Sequence, residues 1–386
     1  MHGISYARVA DLREALAEGA DPDSRFLAGG TTEVDMLRIG VAQEKRLVDI
    51  NDLPLNQIEE LPGGGLRLGA LARMSDVAAA PVVRERFPMV AQALELGASA
   101  QLRNMASMGG NMMQRVRCAY FRETAMPCNK REPGSGCAAE GGFHRGHAVL
   151  GTSESCFATH PSDVAVPLVA LDAVIHLSSA NRTADGSANR TADGSANRTA
   201  DGSANRTADG SANGSANRNA NGSANRNANG IANGAAHGTR SMPLEDFFLL
   251  PGDTPEREHP IEHGELITAI EVPAAPVARR SLYLKVRDRE SYEFALVSAA
   301  VAAAVENGMI TDIRLALGGV ATKPWRARTA ERHLMGGPAT REAFEAAAAA
   351  EMAQAVGRPQ NAFKIELAKR TIVRVLERVC VRGSGS

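Results

Sequence analysis

Four of the five cysteines, Cys118, Cys128, Cys137 and Cys156, crowd into one Gly- and Arg-rich stretch between Met105 and Ser162, whereas the first 117 residues contain none. Gathering four thiols obliges the chain between them to wind around one point, and the rest of the fold must leave room for that. The intervals are nine, eight and eighteen residues. Four thiolates hold either a zinc ion or an iron–sulfur cluster, and zinc sites usually show pairs about two to four residues apart. No such pair is present. An odd number of cysteines in a long chain with no secretory signal argues against a disulfide framework. Spacing alone favours an iron–sulfur cluster, with zinc or unrelated buried or surface thiols as alternatives.

Composition narrows the partners. With 386 residues, 44% of them hydrophobic and 23% charged, the chain can build about two or three domains with real cores. The formal net charge is −1, so no global field draws it to nucleic acid or to an anionic membrane surface. Aromatic residues make up 4%, and Trp325 is the sole tryptophan, which is too little for base-stacking platforms. Residues 1–20 carry Arg8, Asp11, Arg13, Glu14 and Glu18, and so form neither a signal peptide nor a spanning helix. The expected compartment is cytoplasmic; export together with a signal-bearing partner would place the chain in the periplasm.

Between Ala180 and Ser211 the octapeptide Ala-Asn-Arg-Thr-Ala-Asp-Gly-Ser repeats four times without change, and degenerate copies follow, such as Ala216 to Ser223. A period of eight with almost no apolar residue buries no face of a helix or strand, so residues 180–239 are expected to form a disordered insertion. Its flanks, a strand over Ala173 to Leu177 and the resumption at Ser241 to Leu250, place it in a hairpin-like loop. Upstream, Val9, Leu12 and Leu16 mark a helix, Phe26–Leu27 and Leu47–Ile50 mark strands, and a second unit starts near Leu66. Downstream, Leu266–Val272 and Ser281–Val286 read as strands and Phe294–Val305 as a buried apolar segment. Ala343–Val356 and Ala362–Val379 read as helices. The expected divisions are 1–60, 61–276, 277–382 and a tail at 383–386, with a cysteine insertion at 112–160.

Two glycine loops stand out. Leu27-Ala28-Gly29-Gly30-Thr31-Thr32-Glu33 lies between a strand and a helix expected over Val34 to Ile39. Paired glycines let backbone N–H groups approach a phosphate, and the threonines add hydroxyl donors. A plain turn with Thr as helix N-cap is the competing reading. Ser107-Met108-Gly109-Gly110-Asn111 repeats the recipe, and two such loops suit the two phosphates of one dinucleotide. Neither matches Gly-x-Gly-x-x-Gly, so a Rossmann nicotinamide site is not expected.

Taken in order, Ala28-Gly29-Gly30-Thr31, Arg103 to Asn111, and Pro161-Ser162-Asp163 running into Leu168 to Ala173 resemble the FAD-binding subunit of the molybdenum hydroxylases, the group of xanthine dehydrogenase, aldehyde oxidoreductase and carbon monoxide dehydrogenase. The resemblance implies an α+β or α/β chain: a vanillyl-alcohol-oxidase-type FAD-binding fold of two subdomains, followed by a C-terminal α/β domain like that of carbon monoxide dehydrogenase flavoproteins. The segments around Cys118, Cys128, Cys137 and Cys156 are similar to the insertion in FAD subunits of bacterial periplasmic-type aldehyde oxidoreductases, which carries an additional [4Fe–4S] cluster. The same subunit of 4-hydroxybenzoyl-CoA reductase is similar in having an extra cluster.

What this resemblance implies for the residues is specific. Leu27, Ala28, Gly29, Gly30, Thr31, Thr32 and Glu33, with Ser107, Gly109, Gly110 and Asn111, would contact the pyrophosphate and ribityl chain of FAD. Asp163 would accept from a ribityl or ribose hydroxyl, and Lys285 would stand as a cation near the isoalloxazine. Many relatives carry Asp or Asn where this chain has Glu33. The four cysteines would ligate the cluster, Arg115, Arg117, Arg122, Lys130, Arg131 and Arg145 would offset its negative charge, and Gly134, Gly136, Gly141 and Gly142 would let N–H groups reach its sulfurs. His144, His147 and His160 lie in the same stretch, where four cysteines already complete a ligand set. Cys380 reads as a buried small hydrophobe. No catalytic triad or carboxylate pair stands out, and none is required of a subunit whose chemistry belongs to its cofactors.

The implied activity is electron transfer within a heterotrimer oxidising aldehydes to carboxylic acids. A large subunit would hold molybdopterin, a small one two [2Fe–2S] clusters, and electrons would leave through FAD to oxygen, NAD, a quinone or a redox protein. Subunits of 4-hydroxybenzoyl-CoA reductase-like or xanthine or carbon monoxide dehydrogenase-like enzymes are the alternatives within the family. A zinc-binding non-redox scaffold and a stand-alone flavin oxidase are the alternatives outside it.

Overall fold

The computed structural model describes residues 3–180 and 237–381. The octapeptide copies, and with them the expectation of disorder, lie outside the described residues.

Three sheets carry the chain. The first comprises β1 (Ser5–Arg8), β2 (Ser24–Leu27) and β3 (Arg46–Asp49), parallel, in the order β1-β3-β2. Parallel pairing needs crossovers, and the helices Leu12–Gly19 and Glu33–Arg38 supply them. Asp11 caps the former by accepting from the Glu14 N–H at 2.8 Å. Val9, Leu16, Val48 and Ile50 fill the small core.

The second sheet comprises β4 (Ile58–Glu60), β5 (Leu66–Gly69), β6 (Val174–Ser179), β7 (Gly238–Pro243) and β8 (Leu266–Val272), in the order β4-β5-β8-β6-β7. The pairs β4–β5, β5–β8 and β6–β8 are antiparallel. β6 and β7 are neighbours, so the octapeptide segment connects two adjacent strands. Between β5 and β6 run short helices, among them Pro88–Leu96, Ala100–Met105 and Met108–Met112, then the cysteine segment, which has little regular structure, and last the helix Ala165–Ala170.

The third sheet is an antiparallel meander, β9 (Ser281–Val286), β10 (Val297–Glu306), β11 (Met309–Gly318) and β12 (Trp325–Arg326). Strand β10 is apolar from Ala299 to Val305, and both of its faces are buried as far as Ala303. Val297, Ala299, Val301 and Ala303 pack with Phe344, Ile372 and Leu376 from the C-terminal helices, whereas Ala300 and Ala302 join the core of the second sheet. Helices Arg341–Glu351 and Phe363–Leu376 cover the first of these faces. Among the described residues no helix is long and apolar enough to cross a membrane.

Candidate cofactor site

The two glycine loops, far apart in sequence, meet. A Cβ on Gly29 would lie 1.9 Å from the Met105 carbonyl oxygen, so only glycine permits this approach. Gly30 has φ +70°, the left-handed region that favours glycine. Two residues that the sequence did not single out hold the junction. Asn51 donates from Nδ2 to the Ala28 carbonyl at 2.9 Å and accepts at Oδ1 from Arg73 at 2.8 Å, and Arg73 also donates to the Met105 carbonyl.

The loops differ in what they leave free. Among the described residues, the N–H groups of Gly29, Gly30 and Thr31 have no hydrogen-bond acceptor. Thr32 stands at the N-cap of Glu33–Arg38 without making the capping bond; its hydroxyl accepts from Arg117 at 3.5 Å and keeps its own proton to donate. In the second loop the N–H groups are spent. Met108 donates to Ala72, Gly109 to Ala70 at 2.8 Å, Gly110 to the Ser107 hydroxyl at 3.2 Å, and Asn111 to the Ser107 carbonyl. Ser107 is buried, and Asn111 accepts from Ser162 at 2.6 Å and from Gln114 at 3.1 Å. Half-buried and unspent N–H groups are suited to an anion, so the first loop fits a pyrophosphate. The second acts as the surface against which the first is set.

Glu33 turns away from the loop toward Glu44. Burial and that neighbouring carboxylate raise it to about 7, and Glu33 Oε1 and Glu44 Oε2 are both buried without a donor. Asp163 and Lys285 come together with their charges paired: the ammonium donates to Asp163 Oδ2 at 2.8 Å and to the Leu96 carbonyl at 3.0 Å, and Tyr283 donates to Asp163 Oδ1 at 2.6 Å. Burial pushes the Asp163 carboxyl up, against the pull of Lys285.

The cysteines also meet. Cys118, Cys128, Cys137 and Cys156 line one cavity with Phe121, Lys130 and His147, enclosing about 310 Å³ of space between atoms, part of it open to solvent. Cys128 and Cys137 face each other across a short antiparallel bridge. It is closed by Asn129 N–H to the Gly136 carbonyl at 2.7 Å and Ala138 N–H to the Pro127 carbonyl at 3.1 Å. Among the described residues no group of three or more His, Cys, Asp or Glu side chains is placed to hold a single metal ion.

Backbone N–H groups of Tyr120 and Phe121 reach the Cys118 sulfur, those of Ala139 and Glu140 reach Cys137, and that of Ala158 reaches Cys156. These donors lie just after each cysteine and are not at Gly134, Gly136, Gly141 or Gly142. Burial nevertheless pushes the Cys118 thiol up to about 11 and raises Cys137 and Cys156. Free thiolates are therefore disfavoured, and a cationic guest that binds four of them would relieve that cost.

Of the six cations expected around the cluster, Lys130 lines the cavity and favours the Cys156 thiolate. It also donates to the Pro255 carbonyl at 2.7 Å and pairs with Glu258 at 3.3 Å, and the other five are committed to partners away from the cysteines. Arg115 pairs with Glu258, Arg117 and Arg122 with Asp35, and Arg145 with Asp288, while Arg131 donates to the Tyr120 and Phe121 carbonyls. Among the histidines, His147 Nε2 is 3.2 Å from the Cys118 sulfur, His144 bonds Gln360, and His160 lines a neighbouring cavity with His259. Burial holds the His147 ring down at about 4.

The segment is fastened to the C-terminal domain. Val149 N–H donates to the Val320 carbonyl at 2.8 Å, and the fully buried Lys364 ammonium donates to the carbonyls of Gly146 at 3.0 Å, His147 at 2.9 Å and Gly319.

With this geometry, the comparisons with known proteins agree. Residues 2–197 match the family model of the FAD binding domain in molybdopterin dehydrogenase, and residues 282–379 that of the CO dehydrogenase flavoprotein C-terminal domain. The chain belongs to the FAD-binding medium subunits of the molybdenum hydroxylase family, and is thus an oxidoreductase subunit. It is 39% identical to the aldehyde oxidoreductase FAD-binding subunit PaoB of Escherichia coli, over 97% of this chain and 98% of that one. It is 27% identical to the glyceraldehyde dehydrogenase medium chain of Sulfolobus acidocaldarius, over 86% and 81%. The solved carbon monoxide dehydrogenase of Hydrogenophaga pseudoflava superposes with a TM-score of 0.65 at 22% identity, covering 99% of this chain and 98% of that one. The expected fold, a two-subdomain FAD-binding unit followed by a carbon monoxide dehydrogenase-like C-terminal domain, is the one found.

Proposed function

We propose that this chain is the electron-transfer subunit of a molybdenum-containing aldehyde oxidoreductase, carrying FAD and a [4Fe–4S] cluster. Its partners would be a large molybdopterin-binding subunit and a small one with two [2Fe–2S] clusters. The observation that carries the reading is the convergence of Cys118, Cys128, Cys137 and Cys156 on one cavity. The ligands of a four-iron cluster each take a different iron and stand apart, whereas zinc ligands share one tetrahedron. Four thiols lining one cavity supply the donor set such a cluster takes, and their spacing lacks the close pairs usual for zinc.

Flavin supplies the ability to take electrons one at a time and release them in pairs. The residues supply its seat. Gly29, Gly30 and Thr31 would offer N–H groups to the pyrophosphate, with Thr32 adding a hydroxyl. Asp163 and Lys285, locked to one another and to Tyr283, would present a fixed polar edge. Of the relatives that match most of the chain, those at 39% and 27% identity carry aldehyde-directed names, whereas the xanthine dehydrogenase subunits that cover 89% of it are 21% identical, which favours an aldehyde as the enzyme's substrate. Co-expression with the neighbouring open reading frames tests this. Anaerobic addition of an aldehyde should bleach the flavin absorbance of the purified complex. A complex bleached by a CoA thioester or a purine, and by no aldehyde, overturns the substrate assignment.

A further inference from the structure

We propose that Asp35 is a positioning residue that ties the cysteine segment to the flavin loop, so that a filled cysteine cavity tightens the hold on FAD. This rests on the two cofactor sites proposed above. The helix Glu33–Arg38 begins where the first glycine loop ends, and its two sides face different tasks. On one side, Met36, with Ile39 beyond the helix end, packs in a single apolar cluster with Val116, Phe121, Cys128 and Cys156, so the helix backs onto the cysteine cavity. On the other, the Asp35 carboxylate takes a two-pronged bond from Arg122, at 2.7 and 3.1 Å, and another from Arg117 at 3.2 Å.

Both arginines belong to the cysteine segment, one immediately before Cys118 and one four residues after it. Arg117 also reaches the Thr32 hydroxyl, inside the glycine loop, at 3.5 Å. The Arg122 guanidinium holds the Asp35 carboxyl below its ordinary range, so the bond is fully charged at neutral pH. Asp35 is the carboxylate that pairs with Arg117. A cluster seated on Cys118 fixes the ends of both arginines, and through Asp35 and Thr32 it fixes the loop whose N–H groups are unspent.

A double-mutant cycle on the full chain reads the coupling, with FAD affinity and iron content measured for each variant. Asp35→Asn should keep its iron and weaken FAD binding by about tenfold, within the usual range of coupling between sites. Cys128→Ser should lose iron and weaken FAD binding to a similar degree, and the double variant should be no weaker than the weaker single one. If Asp35→Asn does not fold, as judged by circular dichroism, Arg122→Gln replaces it in the cycle with the same expectation. Cys128→Ser binding FAD as tightly as the unaltered chain, or factors that multiply in the double variant, would overturn the coupling. An unaltered chain lacking iron or flavin would instead refute the proposed function itself.

Discussion

Replacing Gly29 by alanine tests the junction of the two glycine loops. The new Cβ would sit 1.9 Å from the Met105 carbonyl oxygen and 2.6 Å from its carbon, both backbone atoms, whereas real Cβ contacts essentially never fall below 3.0 Å. The loops must part by more than an ångström. That motion strains the Arg73 bond to Met105 and the Asn51 bond to Ala28, and it draws the N–H groups of Gly29, Gly30 and Thr31 off the position a pyrophosphate would take. Charge-assisted hydrogen bonds are worth about 1.5–3 kcal/mol each, so losing two at the lower figure costs about 3 kcal/mol, or roughly a hundredfold in Kd. Overpacking at the junction costs a further 1–3 kcal/mol or so of stability. The assay is rebinding of FAD to stripped protein, followed by flavin fluorescence, with thermal unfolding alongside. Gly141→Ala, where no atom lies within 4 Å of the added Cβ, should match the unaltered chain in both. Gly29→Ala binding FAD within threefold of the unaltered chain would refute the argument.

Other perturbations have equally definite outcomes. Lys285→Met leaves Asp163 charged and buried without its cation, and should cost about 3–5 kcal/mol in urea unfolding at pH 7, most of it recovered by adding Asp163→Asn. Glu33 titrates at about 7 in the folded chain and from about 4.5 when unfolded, so between those values the folded state holds the extra proton. Its contribution to stability is therefore full below pH 4.5 and is lost as pH rises to about 7; Glu44→Gln should flatten that loss in melting temperatures measured from pH 4.5 to 8. Lys364→Met strips the donor from the carbonyls of Gly146, His147 and Gly319 and should destabilise by about 1–3 kcal/mol, with faster hydrogen exchange at residues 146–150.

The strands Leu266–Val272 and Ser281–Val286 were legible to the residue because breakers follow them, Pro273 after the first and the Asp288–Ser291 run after the second. The Phe294–Val305 run could be read only as buried, since a strand covered on both faces loses the alternation that would identify it. A hairpin signal did exist there. Asn307-Gly308, both at positive φ, turns β10 into β11. The glycine loops and the cysteines stood out in the sequence as candidate sites, each beside a plainer reading, a tight turn for the loops and zinc or unrelated thiols for the cysteines. What the sequence could not disclose was the cost of burial and the competition for partners. All six expected cluster cations serve other acceptors, and Asn51 and Arg73 act on backbone carbonyls, which leave no mark in a sequence. Lys285 was legible as a cation in the third sheet, but its partner Asp163 comes from 122 positions away.

The most direct test of the central claim is cofactor stoichiometry in the intact chain, purified anaerobically. Flavin, iron and acid-labile sulfide are quantified per polypeptide, and the dithionite-reduced protein is examined by electron paramagnetic resonance. The account predicts about one FAD, four iron and four sulfide per chain, with a reduced-cluster signal that Cys128→Ser abolishes. A preparation with stoichiometric zinc, or with flavin but no labile sulfide, would contradict it.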